Sequence, residues 1–370
     1  MDLITLGWLA LQLTGSPFMV ALAAFARSAP MMLVGPFGGI IADRTPRGRV
    51  LAATQSVGAA TALVLAILFA SHLGGYGVLV ALEIVFGALW AVDFPARRTA
   101  LYTILGAGRV AQAVSIETVS MQIAKMIGPL AAGICLAGIG PVACFTLMAA
   151  LYGMGLLASA PLRGRLGGAS SGAPGSIGES LRAGLEAAWT LPTVRTVLLA
   201  TIAMNTLFFT YQHMLPVFAR DVLRVGPAGL GLLVAADGLG ALVFAFMIAT
   251  GRGFFADRTL FAVAIVAGPV LLVALSGLSW LPGCLALLVV MGAAESSFAA
   301  MQSTLVIVNA PERVRGGVMG ILSACIGTQP IGTLAIGLVT AGIGVSLAFT
   351  ANALVSLAAL VPLAILLARR

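Results

Sequence analysis

Charge is scarce in this sequence. Only 9% of its 370 residues are charged, and among the 20 basic residues Lys125 is the one lysine. A soluble domain of this length needs a far more charged surface, so the composition excludes an ordinary soluble protein. Hydrophobic residues make up 60% of the chain and the mean hydropathy is +1.10. These values indicate an all-α membrane protein.

The sequence also lacks the patterns of enzymes and of nucleic-acid-binding proteins. It has no Gly-x-x-x-x-Gly-Lys loop, no catalytic constellation, and no basic stripe with interleaved aromatic residues. We therefore expect no enzyme activity, no cofactor, no metal and no nucleic-acid partner. Four cysteines without metal-ligand or redox spacing are interpreted as small packing residues: Cys135, Cys144, Cys284 and Cys325.

Apolar runs of roughly 20 residues, the length needed to cross a bilayer, recur along the chain. Eleven full spans are predicted, near 18–41, 50–72, 76–94, 112–136, 141–160, 194–217, 228–250, 260–278, 283–304, 316–338 and 344–368. A shorter run from Asp2 to Leu13 precedes them and ends at Thr14-Gly-Ser-Pro17. We interpret it as part of a truncated first helix and count it as the first span, so that 18–41 is the second. We expect about 20–30 residues to precede Met1, from the length of one span.

The arginines are strongly biased to one side of these spans. Two, Arg220 and Arg224, fall in the opposite loops. Such a bias marks the cytoplasmic side and predicts a multi-pass protein of the cell (inner) membrane with its C-terminus in the cytoplasm. The sixteen arginines of the cytoplasmic set are Arg44, Arg47, Arg49, Arg97, Arg98, Arg109, Arg163, Arg165, Arg182, Arg195, Arg252, Arg258, Arg313, Arg315, Arg369 and Arg370.

One long interruption divides the chain into two halves. Residues 161–193 begin as a Gly/Ser/Ala/Pro-rich linker and end in an amphipathic pattern typical of a helix on the inner membrane surface. We predict one six-helix bundle over 1–160, with its first span incomplete, and another over 194–370. Gly39-Ile-Ile-Ala-Asp-Arg-Thr45 and Gly253-Phe-Phe-Ala-Asp-Arg-Thr259 match at five of seven positions after the second span of each half, which indicates a duplication.

These residues resemble a known family. The segment Gly39 to Leu51 is similar to the signature of the loop between helices 2 and 3 in the major facilitator superfamily, from which Pro46-Arg47-Gly48 departs. Asp93-Phe-Pro-Ala-Arg97 and the stretch Leu215–Leu223 resemble the branch that contains the enterobactin exporter. The resemblance implies a 12-helix fold of two six-helix bundles related by a pseudo-twofold axis, and secondary transport by alternating access.

The resemblance also implies a gate on the cytoplasmic side. Its residues would be Gly39, Asp43, Arg44, Arg47, Arg49 and Asp93. Arg44 and Arg47 would reach the Asp93 carboxylate and latch that side when the carrier faces outward. The alternative is that Arg44, Arg47 and Arg49 only determine topology.

A further segment bears on the direction of transport. Gly128-Pro129-Leu-Ala-Ala-Gly133 in the fifth span resembles the Gly-Pro-x-x-Gly-Gly motif of antiporters in the superfamily, with Ala132 replacing a glycine. Proline bends such a helix and glycines allow close contact, which favours export. Against export, the fourth span lacks the arginine of many proton-coupled drug exporters and offers Glu83 instead.

Charged side chains within the spans are the candidates for coupling. Each costs roughly 2.5–3.5 kcal/mol to insert at the bilayer centre, so it needs a reason to be there. Glu83, Asp237 and Glu295 are candidates for proton coupling or substrate contact, because a carboxylate in a partly dehydrated cavity can exchange protons near neutral pH. The alternative is an ion pair with Arg27 or Lys125. Glu117 and His213 are interpreted as solvated.

Polar and aromatic residues on helices expected to line the cavity are the substrate candidates: Trp8, Gln12, Asn205, Tyr211 and Gln212. The sequence thus predicts a proton-linked exporter of a small amphipathic molecule, drug- or siderophore-like, acting as a monomer in the lipid bilayer. A metabolite importer of the same fold, or a non-transporting or truncated membrane protein, remains the alternative.

The gate interpretation can be tested at Asp43. We expect Asp43→Ala to abolish transport while the protein still inserts in the membrane, because the cytoplasmic latch loses its carboxylate. Transport and membrane abundance are measured together, and normal transport by the variant would contradict the gate.

Overall fold

The computed structural model describes residues 1–44, 46–105, 110–162, 177–249, 257–311 and 314–368. Every regular element within these ranges is helical. A chain in lipid has to satisfy its backbone hydrogen bonds within each segment, and the helix does so. The all-α prediction is confirmed.

The first part of the chain forms six helices. They are α1 (Asp2–Thr14), α2 (Pro17–Arg44), α3 (Arg47–Ala70), α4 (Tyr76–Leu105), α5 (Val110–Gly138) and α6 (Pro141–Ser159), followed by a short 3₁₀ turn, Ala160–Leu162.

A separate helix, α7 (Ile177–Thr190), precedes the second part of the chain. That part contains α8 (Pro192–Ala203), a π-helical turn (Met204–Phe208), α9 (Tyr211–Asp221), α10 (Pro227–Ala249), α11 (Asp257–Ser276), α12 (Leu281–Asn309), α13 (Arg315–Ile326), α14 (Gln329–Ile343) and α15 (Val345–Ala368).

Ten helical segments of the described chain are long and apolar enough to cross a membrane. Two of them are compound. The seventh span, Pro192–Asp221, joins α8, the π-helical turn and α9, and the eleventh, Arg315–Ile343, joins α13 and α14. The apolar helix α1 is shorter, and α2 covers the predicted span 18–41.

The helix ends lie at the glycines and prolines that separate the apolar runs. Gly15 ends α1 with a φ of 68°, its N–H donating to the Leu11 carbonyl, and Pro17 begins α2. Gly140 before α6 and Gly344 before α15 also have positive φ, at 101° and 81°. Glycine adopts this conformation without steric penalty, so helices end readily at these positions. The predicted span limits lie near the observed helix ends here, whereas α4 continues to Leu105, beyond the predicted limit at 94.

The contacts divide the chain into two compact units. Unit 1 comprises Met1–Ala173 together with Val225–Gly231, and unit 2 comprises Pro174–Arg224 together with Leu232–Arg370. Each unit is built from packed helical neighbours, such as α3 with α6 in unit 1 and α11 with α15 in unit 2.

Helix α7 packs on unit 2 through its small residues. A Cβ at Gly184 would collide with the backbone of Gly317 on α13, while Leu185 and Trp189 on α7 remain exposed. The Leu185 and Trp189 side chains therefore point away from the protein, as they would at a lipid surface.

Glycines also set the closest helix contacts within each unit. In unit 1, a Cβ at Gly87 of α4 would collide with the Arg27 carbonyl of α2. In unit 2, a Cβ at Gly240 of α10 would collide with the Val289 carbonyl of α12. Because lipid tails are as apolar as the side chains, such close van der Waals packing contributes much of the association between membrane helices.

We expect Gly240→Ala to lower the unfolding temperature of the detergent-purified protein, because the added methyl group overlaps the Val289 carbonyl. Overpacking of this kind costs about 1–3 kcal/mol. Gly320→Ala on α13 is the matched control, since nothing lies within 4 Å of its Cβ position. Equal unfolding temperatures for the two variants would contradict the close contact.

Candidate functional site

A buried carboxylate lies midway along α12. Glu295 is 7% exposed and accepts hydrogen bonds from the first turn of α9. The Tyr211 hydroxyl donates to its Oε1 at 2.9 Å, and Gln212 Nε2 donates to Oε1 at 2.9 Å and to Oε2 at 3.0 Å. Three of the residues singled out from the sequence therefore form one group, which we call the carboxylate cluster: Tyr211, Gln212 and Glu295.

The irregular middle of the seventh span brings these donors to Glu295. Phe209 N–H donates to the Met204 carbonyl at 2.9 Å, which is the wide turn of a π-helix. The backbone N–H groups of Gln212 and His213 then donate to the carbonyls only three residues earlier, at 3.2 Å each. This wide turn followed by a tight one changes the register in which α9 begins.

Aromatic rings pack beside the cluster at Tyr211. The Tyr211 ring lies 5.3 Å from Phe208 and 6.1 Å from Phe349, and Phe209 lies 5.6 Å from Phe298 on α12. The Tyr211 side chain is fully buried. Hydrogen bonds in such an apolar surrounding are electrostatically stronger than in water, and a broken one is more costly.

Asp237 lies beside the cluster. It is 2% exposed on α10, and its main-chain carbonyl packs so closely on Gly292 that a Cβ there would collide with it. Gly292 precedes Glu295 by three residues, and Asp237 is near enough to Tyr211 for an electrostatic interaction. Two of the three predicted acids therefore belong to the same region of unit 2.

A second polar link joins α8 to α12 two turns away from Glu295. Thr201 Oγ1 donates to Gln302 Oε1 at 3.1 Å, and both side chains are buried. Asn205 is buried too, but its Nδ2 donates to the Thr201 carbonyl of its own helix at 2.8 Å. Asn205 therefore lies next to this link and outside the carboxylate cluster.

The third acid, Glu83, is held in an ion pair within unit 1. Arg27 Nε lies 3.2 Å from Glu83 Oε2, and the same guanidinium contacts Asp2 Oδ2 at 2.6 Å from Nη2 and 3.0 Å from Nε. Glu83 is fully buried. Of the two interpretations of Glu83, this geometry favours ion pairing, with Arg27 as a structural residue between two carboxylates.

The loop motif is seen in part. Gly39, Asp43 and Arg44 lie in the last turns of α2, whose side chains are outside the described residues. Arg49 is exposed. Arg47 Nη1 donates to Thr103 Oγ1 at 2.6 Å, so the contact seen for this arginine is with Thr103 and not with Asp93. Asp93 lies ten residues before Thr103 on α4, which is about 15 Å along the helix axis. An arginine that bonds Thr103 is therefore far from Asp93.

Asp93 has its own partners. It accepts hydrogen bonds from Thr54 Oγ1 at 2.8 Å and Gln55 Nε2 at 3.3 Å, both on α3, and Arg97 Nε lies 3.8 Å from its Oδ2. These contacts join α3 to α4 within unit 1.

Two expectations about solvation are wrong. Glu117 is 8% exposed and pairs with Arg98, whose Nε lies 3.0 Å from its Oε2. His213 Nε2 is buried and has no hydrogen-bond partner in the part of the chain that is described. Both residues lie near the ends of apolar runs, but neighbouring residues cover the Glu117 side chain and the Nε2 atom of the half-buried His213.

The two candidates on α1 differ in their surroundings. Trp8 is 6% exposed, and its Nε1 is buried without a hydrogen-bond partner among the described residues. Gln12, one turn later, is exposed. Trp8 is therefore a buried donor with unused capacity, and Gln12 is not part of a buried site in this structure.

The Gly-Pro segment of α5 lies against small residues. A Cβ at Gly133 would lie 2.5 Å from the Pro227 carbonyl oxygen, and one at Gly231 would lie 2.7 Å from the Pro129 carbonyl oxygen. Gly128 lies near Met1, whose nitrogen would be 3.2 Å from its Cβ. Both Pro227 and Gly231 belong to the segment grouped with unit 1. Side chains larger than hydrogen at these glycines would separate the backbones.

Several residues of these sites were not singled out from the sequence: Asp2, Thr54, Gln55 and Gln302. Asp2 was accessible to the same argument as Glu83, since it is an acid in an apolar run. The others are neutral polar residues, which cost less to bury than a charged residue and therefore give a weaker signal.

Solved structures of similar fold identify the architecture. The chain superposes with a TM-score of 0.72 on the nucleoside transporter NupG, at 16% identity over 100% of this chain and 98% of that one. It superposes with a TM-score of 0.74 on the peptide transporter POT, at 14% identity over 100% of this chain and 91% of that one. The protein therefore has the major facilitator fold, as the loop signature predicts.

The sequence relatives narrow this class. A family model described as transmembrane secretion effector matches residues 1–369, and the chain belongs to this family of major facilitator transporters. It is 26% identical to the multidrug efflux pump Tap of Mycolicibacterium fortuitum over 362 residues, 94% of this chain and 87% of that protein. It is 29% identical to the staphyloferrin A transporter of Staphylococcus aureus over 160 residues, 43% of this chain and 40% of that protein. The chain is a multi-pass membrane transporter and not an enzyme.

The ion pair in unit 1 can be tested by removing its cation. We expect Arg27→Met to destabilise the protein by about 3–5 kcal/mol, because it leaves the buried Glu83 carboxylate and the half-buried Asp2 carboxylate without their cation. Adding Glu83→Gln should recover part of this loss, since one of those charges is then gone. Unfolding temperature in detergent is the measurement, and an Arg27→Met protein as stable as wild type would contradict the structural role.

Proposed function

We propose that this transporter exports a small amphipathic molecule, drug- or siderophore-like, in exchange for protons. It acts as a monomer by alternating access in the cell (inner) membrane, with its C-terminus in the cytoplasm. The functions for which its relatives are named, multidrug efflux and staphyloferrin transport, support this choice of substrate. The sixteen-to-two distribution of arginines supports the orientation.

The carboxylate cluster is the observation that carries the proposal. Glu295 is an acid in the middle of an apolar helix, and two side chains from another span donate to it. A scaffold gains little from a central carboxylate that costs several kcal/mol to insert, whereas a proton-linked carrier needs one. Glu295 is therefore the proton site, and Asp237 beside it contributes to the same charge balance.

Protonation would change what Glu295 does to its neighbours. An ionised carboxylate only accepts hydrogen bonds, so it suits the hydroxyl of Tyr211 and the amide of Gln212 as donors. When a proton binds to one oxygen, that oxygen becomes a donor and faces Gln212 Nε2, which can only donate. The link between α9 and α12 then weakens. This favours a different arrangement of the helices that open and close the carrier.

In the proposed exchange cycle, protonation and deprotonation of Glu295 alternate with substrate binding and release. A proton from the outer solution binds to Glu295 after the substrate has left, and the same proton is released to the cytoplasm when the carrier opens inward. The substrate then binds from the cytoplasm or the inner leaflet. Trp8 Nε1, a buried donor without a partner in the described region, is proposed to donate to the substrate.

The cytoplasmic gate remains part of the proposal. Gly39, Asp43 and Arg44, with Arg47 and Arg49, would open and close the cytoplasmic side. Asp93, held by Thr54 and Gln55 in this structure, would exchange these neutral partners for arginine in another state. Gly128, Pro129 and Gly133 would favour closure through the close backbone contacts of α5.

Glu295→Gln tests the proton site. The variant keeps two polar atoms of similar size but binds no proton, so cells that express it should no longer lower their ethidium content against a gradient. Downhill exchange of ethidium by the purified protein in vesicles should persist, because the path across the protein is intact. The wild-type protein should lose uphill export when a proton uncoupler is added.

Glu117→Gln is the matched control. Glu117 is buried to the same degree, but it pairs with Arg98, which is itself 46% exposed and can be hydrated after the change. We expect this variant to export ethidium as wild type does. Uphill, uncoupler-sensitive export by Glu295→Gln would contradict the assignment of the proton site.

A further inference from the structure

The π-helical turn of the seventh span has a specific partner on α15. Asn352 Nδ2 donates to the Leu207 carbonyl, which also accepts a hydrogen bond from Thr210 Oγ1 at 2.8 Å. Asn352 Nδ2 lies 3.3 Å from the same Thr210 hydroxyl oxygen. One side-chain amide thus contacts both sides of the point where α8 gives way to α9.

These contacts are placed where the backbone needs them. At an irregular turn some backbone groups lose their regular helical hydrogen bonds. In a membrane helix such a turn is stable only when other groups of the protein bond to them. Thr210 is fully buried, and no water-facing surface is available to it. The Asn352 amide supplies the donor from a neighbouring helix.

Two glycines allow neighbouring helices to pack closely against the π-helical turn. A Cβ at Gly332 of α14 would collide with the Thr206 carbonyl, and one at Gly268 of α11 would lie 2.8 Å from the Phe208 ring. The π-helical turn is therefore contacted by α11, α14 and α15. Of these contacts, the one from Asn352 is directional, because it is a hydrogen bond.

The turn sets the orientation of the carboxylate cluster. Tyr211 and Gln212 come directly after Thr210, and both donate to Glu295. A π-turn accommodates one more residue than an α-turn, which rotates the next helix, α9, by about 100°. If the turn relaxed to regular α-helix, both donors would leave Glu295.

We propose that Asn352 is a positioning residue that locks the π-helical turn and so holds Tyr211 and Gln212 on Glu295. It makes no contact with the proton or the substrate. Loss of its amide frees the turn to open and close more often, which separates the donors of α9 from the carboxylate of α12. The consequence for transport rests on the proposed function, whereas the positioning itself does not.

The first test measures the turn directly. Hydrogen exchange of the amides of residues 204–213 is followed by mass spectrometry in the detergent-purified full chain. Asn352→Ala should speed this exchange by about tenfold, which corresponds to about 1.4 kcal/mol of easier local opening. Thr350→Val is the matched control, because Thr350 also bonds across to another helix, to Ser276 Oγ at 2.8 Å, but does not reach the turn. Equal exchange in both variants would overturn the proposal.

The second test separates positioning from general stability. Tyr211→Phe removes the hydroxyl that bonds Glu295, and its effect on the unfolding temperature is measured alone, with Asn352→Ala, and with Thr350→Val. If Asn352 places that hydroxyl, its loss should matter much less in the Asn352→Ala background and fully in the Thr350→Val background. Additive effects of Asn352→Ala and Tyr211→Phe would overturn the positioning role.

Thr210→Val is the second variant, for the case that Asn352→Ala does not fold. It keeps the shape of the side chain and removes the hydroxyl that shares the Leu207 carbonyl with Asn352. We expect faster exchange over residues 204–213 here as well, and unchanged exchange would count against the lock. Because neither test uses transport, a failure of Glu295→Gln to impair proton-linked export would refute the proposed function and leave the result for Asn352 standing.

Discussion

Polar groups buried among these apolar helices have to find their partners inside the protein, and the structure depends on this constraint. In water an unused donor or acceptor is hydrated, but in the bilayer it costs several kcal/mol. Most threonines and serines of the spans satisfy it locally. Thr196, Thr304 and Thr333, for example, each donate to the carbonyl four residues earlier on the same helix.

Polar residues that find their partners on another helix form the ion pair of unit 1 and the carboxylate cluster of unit 2. Arg27 joins α1, α2 and α4 through two carboxylates, and Glu295 joins α9 to α12 through two donors. The two arrangements differ chemically. In the first, a guanidinium pairs with carboxylates, which suits a fixed structural link. In the second, neutral donors hold a carboxylate, which suits a group that changes protonation.

Much of the fold could be predicted because its signals are local. Runs of apolar residues and the Gly/Pro pairs between them determine where helices begin and end, as at Gly140 and Pro141. The membership of Tyr211, Gln212 and Glu295 in a site was accessible from their polarity in apolar helices. Their pairing was not, because it depends on the π-helical turn, and nothing in Met-Asn-Thr-Leu-Phe distinguishes it from ordinary helix. The contact of Arg47 with Thr103 was not predicted for a similar reason: it depends on where Thr103 lies along α4, and the loop motif carries no information on that position.

The π-helical turn also restricts how this chain can vary. Loops between spans tolerate changes of length, because water satisfies whatever backbone they expose. Removal of a single residue between Met204 and Phe208 would restore regular helix and turn everything beyond it by about 100°. Tyr211, Gln212 and the aromatic residues around them would then all face other helices. The length of this five-residue segment is therefore fixed more strictly than the identity of most residues within it.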